Sequence, residues 1–175
     1  MEKSTFFKLY YPGAVLCERE TQIPALATLA QAAIESSWGE KAPGNNFFGI
    51  KADKSWKGKR QTLRTREVFS DNDRKKHIFP DVHSVTQFKD DKGKVKYEWI
   101  VNDYFRAYDT VAEGFSDHGK FFHDNPRYAM ALQAKTPYEF ADAVAAAGYA
   151  TGPGYAKLWK DVMSGLKEFL PGQKK

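Results

Sequence analysis

The chain has 175 residues and carries 27 Lys and Arg against 22 Asp and Glu, a formal charge of +5. Hydrophobic residues make up 42% and aromatics 15%, which excludes a disordered tail or a collagen-like rod and suits one compact domain with a sizeable core. No apolar run approaches the ~20 residues that cross a bilayer, and the single cysteine, Cys17, excludes an internal disulfide framework and reads as a small buried hydrophobe.

The stretch from Met1 to Pro12 lacks the continuous apolar core of a signal peptide. The first strong helix is predicted from Ile23-Pro24, with Pro24 suited to the first helical position. Leu26, Leu29, Ala30, Ala33 and Ile34 repeat as a buried stripe, and a glycine cap ends the helix around Trp38-Gly39. Thr110-Val-Ala-Glu113 is a capping box that opens a second helix, with Val111, Phe115, His118 and Phe122 as its apolar face and Pro126 beyond its end. A short helical turn follows from Arg127 to Leu132. Thr136-Pro137-Tyr-Glu139 opens a third helix, which buries Phe140, Val144 and Ala147 and closes at Gly148. The last helix runs from about Gly154 to Leu170, burying Tyr155, Leu158, Trp159, Val162, Leu166 and Phe169 or Leu170.

The middle differs. Lys51 to Ala107 holds 15 Lys and Arg against 9 Asp and Glu, whereas the rest of the chain is close to neutral. Arg64 to Phe69 is short, β-branched and aromatic, as strands are. Val85 to Lys89, then Asp90-Asp-Lys-Gly93, then Lys94 to Tyr108 reads as a hairpin with glycine at its turn. The class is α+β, predominantly helical. The expected organisation is one domain, 1–175, with a helical lobe at about 1–50 and 109–170 and a β lobe at about 51–108.

His118 and His123 stand five apart on a helix, so they do not share a face as metal ligands would. His77 and His83 lie in a loop-like stretch with no cysteine nearby. No metal and no cofactor is implied. Lys54-Ser-Trp56-Lys-Gly-Lys-Arg60 mixes cations with an aromatic, as single-strand binders do. Asp53, Asp71, Asp73, Asp81, Asp90 and Asp91 interrupt the positive run, however, and no nucleic-acid motif appears; a solvated basic surface facing an anionic wall explains the same charge.

Glu35 is the candidate for chemistry. A helix C-terminus carries partial negative charge and disfavours an ionised carboxylate, and Ile34 and Trp38 are candidates for an apolar wall with the same effect. Both suit a general acid. Spacing alone favours an exposed helix-end glutamate. Directly after it, Pro43 to Lys51 supplies turn formers, carboxamides and aromatics, the groups that meet sugar hydroxyls and sugar faces. Ala147 to Tyr155 is a second loop of this composition, and it presents Tyr149 between glycines. The alternative for Tyr149 is a packed tyrosine with its hydroxyl tied to backbone.

Five motifs then occur in order: Ala30-Gln-Ala-Ala-Ile-Glu35-Ser-Ser-Trp-Gly39, Asn46-Phe-Phe-Gly-Ile-Lys51, Phe105-Arg-Ala-Tyr108, Pro126-Arg-Tyr128 and Ala147-Gly-Tyr-Ala-Thr151. Together, from about Pro24 to Leu170, they resemble the glucosaminidase family of peptidoglycan hydrolases, glycoside hydrolase family 73. The resemblance implies a lysozyme-like fold, with an α lobe and a small β lobe flanking a glycan-binding cleft. It also implies cleavage of the β-1,4 bond after N-acetylglucosamine in the cell-wall glycan. Carried over, the catalytic acid falls on Glu35, the cleft tyrosine on Tyr149, and a second acid of a Thr-x-Glu strand on Glu67, with Glu98 and Asp103 in reserve. Trp38, Asn46, Phe47, Phe48, Tyr128 and Thr151 are the implied substrate contacts. Gly152 stands where the family often has aspartate.

Two schemes fit. In an inverting one, Glu35 protonates the leaving oxygen while Glu67 activates water from about 6.5–9.5 Å away. In a substrate-assisted one, the sugar's acetamido group attacks and Tyr149 stabilises the charge that forms; this is the preferred reading. A muramidase or lytic transglycosylase, or a wall-binding module without turnover, are the other functions in play. The expected partners are peptidoglycan strands, with no nucleic acid and no membrane span, and a monomer acting at the bacterial cell wall.

Overall fold

The computed structural model describes residues 1–149 and 154–172. The chain forms two compact units, Met1–Gly49 with Tyr108–Lys175, and Ile50–Ala107.

The first unit is helical. Helix α1 spans Lys3–Thr21 and α2 Ala25–Glu35; α3 spans Val111–Asp124, α4 Pro137–Ala146 and α5 Tyr155–Lys167. Helix α1 is absent from the periodicity reading, because Pro12 interrupts its interior and its apolar residues make a weak stripe. Burial of Phe6, Phe7, Ala14, Cys17 and Thr21 holds it in place. Cys17 is a free, buried thiol, as its surroundings in the chain suggest.

Helix α2 departs from its expected stripe. Residues 25 to 33 are all buried, on every side of the helix, because α1, α4 and α5 all pack against it. Pro24 is its N-cap, outside the first turn. It also ends earlier than expected, at Glu35. The Ser36 hydroxyl donates back to the Ala32 carbonyl at 2.6 Å and accepts the Gly39 amide at 2.8 Å, an alternative to further helical bonding. Ser37 and Trp38 then adopt left-handed backbone, at φ 52° and 58°.

Both capping threonines behave as read: Thr110 and Thr136 accept the amides of Glu113 and Glu139. The turn between α3 and α4 is two 3-10 turns, Pro126–Tyr128 and Ala131–Gln133. On α5 the buried residues are Trp159, Met163 and Leu166. Leu158, expected in the core, is 49% exposed. Positions 159, 163 and 166 follow the i, i+4, i+7 spacing, and Leu158 lies off that face.

The second unit is a three-stranded antiparallel sheet, β1 Arg60–Phe69, β2 Asp81–Lys89 and β3 Val95–Arg106, in the order β1-β3-β2. The β2–β3 turn is closed by Asp90, whose Oδ1 accepts the Lys94 amide at 2.8 Å and the Lys92 amide at 3.0 Å, with Gly93 at φ 72°. His83 lies in β2 at a bulge, not in a loop. Trp99 is fully buried at the centre of this sheet, with Phe69, His77 and Phe79 around its ring. Among the described residues, no helix is long and apolar enough to cross a membrane.

Candidate active site

The close packing of α2 fixes the backbone of Glu35, whose own side chain, at the last helical position, is exposed. The Tyr155 hydroxyl, at the first residue of α5, donates to Glu35 Oε1 at 2.7 Å. Gln31, 1% exposed and one helical turn before Glu35, donates its Nε2 to that same hydroxyl at 3.2 Å. Burial first, then the hydrogen bond to Glu35 and its charge, hold the Tyr155 phenol well above its usual value, so it keeps its proton and donates.

Tyr149 follows the left-handed Gly148 and stacks on Tyr155 with ring centroids 5.9 Å apart. Burial first, and then the Glu35 charge, raise its phenol too, against a Gln31 hydrogen bond that lowers it. The hydroxyl is tied to a side chain: His118 Nε2 lies 3.2 Å away. His118 is 4% exposed and its ring stacks on Phe48 at 3.6 Å.

Burial pushes His118 down to about 3 from 6.5, so the imidazole is neutral. The unfolded chain takes up a proton here below about pH 6.5, which the folded chain refuses until about 3. Stability from this group is complete above that window and falls as pH drops through it, by up to about 1.4 kcal/mol per pH unit. Thermal denaturation between pH 7 and 4 should therefore show a declining midpoint that His118→Gln flattens. An unchanged decline in the variant would remove His118 as its source.

The remaining candidates separate by exposure. Trp38 is half-buried, with its ring edge-on to Phe6 at 5.4 Å and the Lys3 ammonium 5.9 Å above it. Phe48 is partly exposed. Asn46, Phe47 and Tyr128, read from the sequence as substrate contacts, are instead buried at 4%, 2% and 0%. Phe47 packs edge-on between Tyr10 and Phe115, and Tyr128 against Phe121 and Phe122; apolar burial in the helical core outweighs exposure at both. Thr151 lies outside the described residues.

On the sheet, Glu67 stands opposite Trp99, and Asp103 opposite Leu63, so both acids are on one face. The Lys51 ammonium joins them, 2.7 Å from Glu67 Oε1 and 2.9 Å from Asp103 Oδ2. Burial lowers the Lys51 pKa, but the hydrogen bonds and charges of Glu67 and Asp103 outweigh it and hold the ammonium above its usual range. Glu98, one strand position from Trp99, faces the other side and pairs with Arg66. The two reserve acids therefore differ: Asp103 shares the lysine with Glu67, and Glu98 does not. Among the described residues, no group of three His, Cys, Asp or Glu is placed to hold a metal ion.

Sequence reasoning missed the surroundings of the acid. Tyr155 reads as a core position of the last helix, Gln31 as an interior residue of the Glu35 motif, and His118 as part of an apolar face. The signal that identifies Gln31 is its i−4 spacing from Glu35.

The family profile described as "Mannosyl-glycoprotein endo-beta-N-acetylglucosaminidase" matches residues 11–168. The chain is similar to the peptidoglycan hydrolase FlgJ of Vibrio parahaemolyticus, 38% identical over 135 residues that cover 73% of this chain and 36% of that protein. It is similar to the exo-glucosaminidase LytG of Bacillus subtilis, 32% identical over 150 residues, covering 81% of this chain and 43% of that one. Its fold matches a C-terminally truncated glycoside hydrolase domain from Salmonella typhimurium FlgJ with a TM-score of 0.70 at 31% identity, covering 95% of this chain and 98% of that one. The chain spans less than half the length of these curated relatives. The helical unit, the small three-stranded sheet and these likenesses bear out the expected α+β, lysozyme-like fold. The match over nearly the whole chain settles its kinship: the chain belongs to the glucosaminidase family of glycoside hydrolases.

Proposed function

We propose that this chain is a peptidoglycan hydrolase that cleaves the β-1,4 bond after N-acetylglucosamine at the bacterial cell wall, with Glu35 as the general acid. The observation that carries the reading is the exposed Glu35 carboxyl at the end of a helix buried from residue 25 to 33, held through one oxygen by Tyr155 and flanked by Tyr149, in a chain of the glucosaminidase family. One carboxyl oxygen is engaged and the other is left to carry a proton, which is what a general acid requires.

In the proposed reaction the acetamido oxygen of the substrate attacks the anomeric carbon while Glu35 gives its proton to the departing glycosidic oxygen. A cyclic oxazolinium ion forms, and Tyr149 stabilises its charge. Water then opens the ring and returns a proton to the Glu35 carboxylate. Glu67 is proposed as the second acid of the site, in an assisting role, because Lys51 already engages its carboxylate. Trp38 and Phe48, both partly exposed, are proposed to meet sugar rings. The partner is the glycan strand, met by a monomer.

Digestion of purified peptidoglycan, reduction of the products and mass spectrometry test this. Reduced N-acetylglucosamine ends are expected. Reduced muramic acid or anhydromuramic ends would reassign the chain to muramidase or transglycosylase chemistry, and no release from any wall type would leave a binding module. Glu67→Gln is expected to keep measurable turnover, about a tenth to a hundredth of the parent, a loss at or below the low end of the about 10²–10⁴-fold that a general acid–base group contributes, because the acetamide supplies the nucleophile. Complete loss in Glu67→Gln would favour the inverting scheme.

A further inference from the structure

The Tyr155 phenol keeps its proton and donates it to Glu35 Oε1 at 2.7 Å, which fixes where that proton points. The Tyr155 oxygen is then left as an acceptor. Gln31, at 3.2 Å, must therefore turn its NH2 and not its carbonyl towards it, which settles the orientation of the amide without reference to its other contacts.

We propose that Gln31 is the positioning residue of this site: its buried carboxamide aims the Tyr155 hydroxyl at Oε1 of Glu35, so that Oε2 is the oxygen that carries the transferable proton. The inference rests on Glu35 as the acid. Gln31 is 1% exposed, lies on the same helical face as Glu35, and acts on the carboxyl through Tyr155. Its placement explains a buried carboxamide in a helix whose other buried residues from 25 to 33, Thr28 excepted, are alanine or leucine. An unpaired amide there would be costly, and the Tyr155 oxygen at 3.2 Å gives it a partner.

A double-mutant cycle tests it. Gln31→Leu, Tyr155→Phe and their combination are assayed on purified peptidoglycan for maximal rate and half-saturating substrate, with melting midpoints alongside. Each single variant is expected to lose about 10- to 100-fold in maximal rate, the scale of a misplaced catalytic group, with half-saturation unchanged. The combination is expected to lose no more than Tyr155→Phe alone. Gln31→Met, of nearly the same length, replaces Gln31→Leu if the latter does not fold. Additive losses, or a loss confined to half-saturation, would overturn the inference. Glu35→Gln run in parallel separates the two readings: retained activity there overturns the acid and the inference with it, whereas an inactive Glu35→Gln beside an additive cycle overturns the inference alone.

Discussion

Glu35→Gln is expected to lower glycan hydrolysis by about 10²–10⁴-fold, the range that a positioned general acid supplies. The substitution keeps the shape of the side chain and one oxygen that accepts from Tyr155, so the 2.7 Å contact can persist. What disappears is the transferable proton. Because Glu35 is exposed and closes a helix already buried up to residue 33, stability should stay within about 0.5 kcal/mol of the parent. The comparison therefore isolates chemistry from folding. It is read as the rate of new reducing ends released from purified wall, beside a melting curve of the same preparation. Activity within tenfold of the parent would move the acid role away from Glu35.

Trp159→Ala is expected to cost about 3–5 kcal/mol, as large-to-small substitutions of buried aromatics do. The indole is fully buried, stands edge-on to Phe140 at 6.0 Å and to Tyr155 at 5.8 Å, and donates its Nε1 hydrogen to the Ala27 carbonyl at 2.9 Å. That last bond ties α5 to the first turn of α2. Truncation leaves a cavity between the helix that bears Glu35 and the helix that bears Tyr155, so activity should fall before the unit unfolds. Trp159→Phe, which fills part of the space and lacks the donor, should lie between. Urea denaturation followed by far-UV circular dichroism gives the difference; a loss below about 1 kcal/mol would show that the site collapses without consequence.

Much of this was legible in the chain. The cap at Thr110 and the capping box at Thr136 state their helix starts in the chemistry of two side chains, and Gly93 states its turn through a backbone conformation that most residues avoid. Glu35, Tyr149 and the sheet acids stand on elements read correctly in kind. What was not legible depended on tertiary contacts. Helix α1 carries an internal proline, and only the core it covers makes it a helix. Helix α2 looks amphipathic when its leucines are counted, but alanines are small enough for three helices to approach closely, and so every side is buried. Phe47 reads as a sugar-facing ring because aromatic residues serve cores and glycans equally well, and composition carries no sign of which; the Tyr128 contact is implied by the resemblance alone. The hydrogen-bond partners of the site, Gln31, Tyr155 and His118, are 124 and 31 residues from their mates in the chain; no local pattern joins them.

The burial of residues 25 to 33 on every side of α2 constrains the history of the chain as well as its shape. A helix with a free face can drift at that face and turn slightly, carrying a terminal side chain with it. This one has no such face: any enlargement meets α1, α4 or α5. Lineages that adapt to a different wall thus have little scope to re-aim the Glu35 carboxyl by substitution within its own helix. Variation is left to exposed side chains outside that helix and to the sheet, whose aromatic cluster around Trp99 is a separate set of contacts. Inherited diversity should accumulate there, around a carboxyl whose address does not change.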